Sequence, residues 1–108
     1  MVAPDMFAHK VCALLDRNLF TNRDIFDSWF FMQRRTPINK ELLEVRMQVP
    51  YADYLQKCID KLESMSDRGL PQGLGELMDA DIKIFVQTKL RTETITLFSF
   101  YKDYPIIG

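Results

Sequence analysis

The stretch "PYADYLQKCIDKLESMS" sets Tyr54, Leu55, Cys58, Ile59, Leu62 and Met65 at steps of three and four. An α-helix turns about 100° per residue, so these steps gather the apolar side chains on one stripe and leave the charged ones opposite. No segment shows the convincing two-residue alternation of a half-buried strand. Helical spacing returns in every strongly patterned segment. The fold class is therefore all-α, a compact bundle of five or six helices without a sheet.

Pro50 opens the helix just described, and three others precede it. The first is predicted over residues 4–17, with Phe7, Val11, Leu14 and Leu15 on its stripe and Pro4 and Asp5 suited to its first turn. The second spans residues 22–33, with Ile25, Trp29 and Met32 inward and Phe26 and Phe30 beside them. Thr21 and Asp24 resemble a capping arrangement, and Pro37 closes the segment. "NKELLEVRM" reads as a short helix capped by Asn39. "DRGLPQG" is a loop by its glycine and proline content. Residues 79–101 carry Ile82, Phe85, Ile95, Phe98 and Tyr101 at helical intervals, as one helix or as two joined near residues 90–92.

A chain of 108 residues without internal repeats is expected to form a single domain over 1–108. At this size roughly 65% of the unfolded surface is buried on folding, enough for a core without staples. Cys12 and Cys58 lie within apolar helical patterns and have no CxxC neighbour, which predicts two reduced core thiols and a cytoplasmic setting. A lone histidine, His9, leaves little material for a metal cluster or a Cys–His nucleophile. No apolar run approaches the roughly 20 residues of a membrane span, and no signal peptide is visible. The formal net charge of −1 argues against a free-standing DNA binder.

"HKVCALLDRNLFTNRDIFD" concentrates the charges that a core-filling helix does not need. Lys10 and Arg17 are seven residues apart and share the flank of the Phe7–Val11–Leu14 stripe. Like charges on one edge gain nothing from each other. Asp24 and Asp27, three apart on the next helix, are placed to face that edge if the two helices pack antiparallel. The arrangement serves either as an interhelical ion pair at the core boundary or as part of a mixed-charge site for a phosphate and its metal.

Two segments carry a family resemblance. "FAHKVCALLDR" supplies Lys10, Ala13, Leu14 and Arg17, and "NRDIFDSWFFM" supplies Arg23, Asp24, Ile25, Phe26 and Asp27. This pair resembles the C-terminal region of the AbiEii/AbiGii nucleotidyltransferase toxins, and "PINKELLEVR", "YLQKCIDKLESMSDR" and "GLGEL" resemble the helical tail of such proteins. The resemblance implies a toxin–antitoxin enzyme that transfers a nucleotide from an Mg²⁺-bound nucleoside triphosphate to an acceptor, tRNA in some members. It implies catalytic roles for Lys10, touching triphosphate oxygens, and for Asp24, accepting a proton or orienting a neighbour. Arg17, Arg23 and Asp27 would support the substrate or the packing. The family's Gly-rich turn and D-x-D pair have no counterpart here. Asp79-Ala80-Asp81 precedes a helix and reads as an N-cap and first turn, and "GLGEL" lacks the lysine and strand of a phosphate loop. The chain is thus expected to contribute a lysine–aspartate half-site and no metal ligands, to be inactive alone, and to need an antitoxin or a missing catalytic domain as partner.

Two other classes compete. The run Trp29–Phe30–Phe31 is hard to bury on all sides, which predicts a helical interaction module or remnant that self-associates. A helix–turn–helix reading of residues 38–62 places Asp53, Asp60 and Glu63 around the second helix, an acidic face unsuited to DNA.

Overall fold

In the computed structural model, residues 2–16, 22–65 and 80–108 are described. They form six helices: α1 (Ala3–Asp16), α2 (Asn22–Gln33), α3 (Lys40–Met47), α4 (Tyr51–Glu63), α5 (Ala80–Thr88) and α6 (Leu90–Asp103). Among the described residues there is no sheet, only an isolated parallel bridge between Ile38 and Ile107. The all-α bundle predicted from spacing is the fold.

Helix α6 packs against α4, α2 and α5, while α1 packs against α2 and α3. The core forms where these faces meet, around Phe7, Val11, Ile25, Met32, Tyr54, Leu55, Phe98 and Tyr101. Phe7 ties two layers together, stacking on Phe31 at 5.4 Å and meeting Tyr101 edge-on at 5.5 Å. The α4 stripe is buried from Tyr51 to Leu62, and Met65 packs at its margin. Cys12 and Cys58 are both buried thiols outside any disulfide.

Buried polar groups on α4 hold it in register. Tyr54 Oη lies 2.9 Å from both the Val11 and Cys12 carbonyls of α1, sharing its proton between them. Tyr51 Oη donates to the Tyr101 carbonyl, and Tyr101 Oη donates to the Thr36 carbonyl at 2.7 Å. Burial pushes the Tyr51, Tyr54 and Cys58 ionisations far up. Tyr101 is pushed up to about 12 by burial, against the opposing pull of Arg35.

The helix boundaries have local causes. Asn39 caps α3 by accepting from Leu42 N–H at 3.0 Å, and its amide donates to Asp5 Oδ1 at 2.7 Å, so one side chain caps α3 and anchors α1. Helix α2 ends in a Schellman turn: Arg35 N–H reaches Met32 O and Thr36 N–H reaches Phe31 O, both at 3.0 Å. Arg35 takes the left-handed position of that turn, with φ 59°. The last third is two helices joined at Lys89, one residue before the anticipated joint. Its pattern named Phe98 and Tyr101 correctly, but Ile82, Phe85 and Ile95 lie at the core margin, while Val86, Leu90 and Thr94 are fully inside.

Asp81 stands in the first turn of α5, as expected. The readings of "DRGLPQG", "GLGEL", the Thr21 cap and the Asp79 cap fall outside the described residues.

Candidate functional site

Helices α1 and α2 are in contact, and their apolar faces bring the two charged edges together. Lys10 Nζ lies 3.0 Å from Asp27 Oδ2. Arg23, one turn before Asp27 on α2, places its Nε 3.0 Å from Asp27 Oδ1. One carboxylate therefore holds two cations, one on each oxygen, and the cluster retains a net positive charge. Lys10 is 40% exposed and Asp27 18%, so the group opens to solvent at the core boundary.

Asp24 is placed differently. Three residues from Asp27 on a helix means a rotation of about 60°, enough to carry Asp24 inward. It is 4% exposed and shares the inner side of α2 with Ile25 and Ser28. Of the residues singled out in the sequence, Lys10, Arg23 and Asp27 meet in one cluster. Asp24 is enclosed beside them in the chain, and Arg17 lies outside the described residues.

A divalent cation needs several oxygen ligands converging on a point. Among the described residues no group of three or more His, Cys, Asp or Glu side chains is arranged to hold a metal. His9 is engaged elsewhere: its Nδ1 accepts from Arg46 at 2.8 Å, linking α1 to α3.

Pattern reading missed two features of α2. The first is a cleft of about 350 Å³ between α2 and α5, lined by Phe26, Trp29, Phe30, Gln33, Asp81, Ile82 and Phe85. Trp29 rests 4.7 Å from the Phe85 ring, yet its Nε1 is closed off from solvent with no hydrogen-bond partner among the described residues. The second is the placement of Arg34 and Arg35 at the end of α2, each over a phenyl ring. The sequence shows both arginines, but the aromatic partner of Arg35, Phe100, belongs to a distant helix. The exposed side of α4 carries Asp53, Asp60 and Glu63, the acidic face that argued against DNA. No helix among the described residues is long and apolar enough to cross a membrane.

Compared with protein-family models, with curated proteins and with solved structures, the chain matches none.

Proposed function

We propose that this chain is the helical part of an AbiEii/AbiGii-type nucleotidyltransferase toxin, supplying the side chains that meet a nucleoside triphosphate and leaving the metal to a partner segment or chain. The observation that carries this reading is the Lys10–Asp27–Arg23 cluster. The two segments that bear the resemblance come from different helices, and Lys10 of the first meets Asp27 and its neighbour Arg23 of the second at a solvent-open boundary.

The cluster's geometry suits an exchange of anions at Lys10. An exposed ion pair is worth about 0–1 kcal/mol, so releasing Lys10 from Asp27 costs little. Arg23 stays on the other carboxylate oxygen, so Asp27 is not left unpaired when Lys10 turns to a phosphate. The Lys10 ammonium acts as a compact point charge on a flexible stem, suited to following triphosphate oxygens. Burial of Asp24 fits an orienting role better than direct contact with a bulky acceptor. Bound Mg²⁺ would neutralise phosphate charge in such chemistry, and its ligands belong to the partner. The acceptor in this reading is an RNA, tRNA by resemblance.

Protection of Lys10 from chemical acetylation tests the reading. Millimolar nucleoside triphosphate with Mg²⁺ is expected to slow acetylation of Lys10 while Lys40 and Lys57 react as before. Equal rates at Lys10 with and without nucleotide would contradict it. The isolated chain is expected to transfer no label to RNA, and transfer that depends on Asp24 would contradict the division of labour.

The α2–α5 cleft favours a second reading, a helical module that pairs with a second copy through its aromatic face. Phe30, 39% exposed, sits on that face. A concentration-dependent dimer that Phe30→Asp abolishes would support it, and a monomer at 100-fold varied concentration would remove it.

A further inference from the structure

The end of α2 carries a feature that neither the core nor the Lys10 cluster uses. Arg34 lies over the Phe30 ring at 5.0 Å, and Arg35 lies over the Phe100 ring at 4.6 Å. Both residues are exposed. Neither guanidinium has a carboxylate or other hydrogen-bond acceptor among the described residues. Each ring covers one side of its guanidinium, and the N–H groups of both remain free to donate.

We propose that Arg34 and Arg35 form an anion site for a small phosphate monoester, whose organic part rests on the apolar wall beside them. A cleft of about 430 Å³ opens there, lined by Ala3, Phe30, Phe31, Arg34, Arg35, Thr36 and Pro37. That volume is several times larger than a bare phosphate, and its walls away from the arginines are largely apolar. The chemistry is that of a doubly charged head with a planar or apolar body.

The backbone from which both side chains leave is fixed before any ligand arrives. The Schellman bonds fix Arg35 and Thr36, Tyr101 Oη donates to Thr36 O, and Ile38 N–H donates to Ile106 O at 2.8 Å. Planar guanidiniums bind phosphate oxygens in pairs, which a lysine does not do. Arg35 also stands at φ 59°, a backbone position that glycine occupies more cheaply. Cations also favour a helix C-terminus, but that effect requires only charge. The site is separate from the Lys10 cluster, since Arg34, just past the end of α2, is eleven residues beyond Arg23, about 16 Å along the helix axis.

The test is a titration of the arginine Nε–Hε NMR signals with phenyl phosphate, inorganic phosphate and sodium chloride at constant ionic strength. Phenyl phosphate is expected to shift Arg34 and Arg35 saturably, binding about threefold or more tightly than inorganic phosphate. Arg34→Lys/Arg35→Lys keeps the charge at the helix end, so Tm is expected within about 3 °C of the parent while affinity falls about fivefold or more. Lys10→Gln is expected to leave this binding unchanged, which separates the site from the triphosphate reading. Shifts that follow chloride equally, a phenyl-to-inorganic ratio near one, full affinity in the double lysine variant, or its collapse in Tm would each overturn the proposal.

Discussion

At the scale of single residues, position on the helix circumference decides which charges do what. Asp27 takes both cations and Asp24 turns inward, although spacing alone placed both aspartates on the edge facing Lys10. The spacing set a basic edge of Lys10 and Arg17 against Asp24 and Asp27; Lys10 reaches Asp27, and Arg17 lies outside the described residues. What the spacing did not carry was the rotation of α2 about its own axis, which depends on the tertiary fit of Ile25, Ser28 and Met32. Lys10→Ala is expected to cost less than about 1 kcal/mol in urea melts, because an exposed pair contributes little. A loss of several kcal/mol would show that Lys10 supports the core. Tyr54→Phe removes the buried donor shared by two α1 carbonyls and is expected to cost about 1 kcal/mol. No measurable change in the same melts would mean those carbonyls are satisfied within α1 alone.

Among the elements, local chemistry was legible wherever one residue determines a boundary. Asn39 has the residue type and position of an N-cap, and it is one. Its second bond, to Asp5, joins residues 34 positions apart and could not be read from local pattern. Asn39→Ala is expected to cost about 1–2 kcal/mol by thermal unfolding, through loss of the cap and of the link to α1. Asn39→Ser keeps a capping oxygen but cannot donate to Asp5 in the same way, so it should recover about half of that loss; full recovery would show that the Asp5 bond contributes nothing. The last third was the least legible. Lys89 leaves helical geometry at φ −129° and ψ −25°, which resets the rotational phase between α5 and α6. A stripe projected across that break names Ile82, Phe85 and Ile95 and misses Val86, Leu90 and Thr94.

For the whole molecule, the apolar pattern was sufficient for fold class because helices bury one face against whatever faces it. The site was half legible for the same reason: contacts along a helix can be read, and contacts between helices must be built. Buried hydroxyls and a buried thiol also set a global response to alkali. Tyr51, Tyr54, Tyr101 and Cys58 ionise at higher pH folded than unfolded, so their contribution is complete below the unfolded values of 9.0 for Cys and 10.0 for Tyr. Stability should begin to fall near pH 9 and fall steeply above pH 10, by up to about 1.4 kcal/mol per pH unit for each group, as the unfolded chain loses protons that the fold retains. Urea melts at pH 8, 9, 10 and 11 check this, and a flat profile to pH 11 would contradict the burial of these groups. The most direct test of the functional account is an amide NMR titration of the chain with Mg²⁺ and each nucleoside triphosphate. Saturable shifts centred on Lys10, Arg23 and Asp27 are predicted, whereas silence of those signals at millimolar nucleotide would contradict a triphosphate-facing half-site.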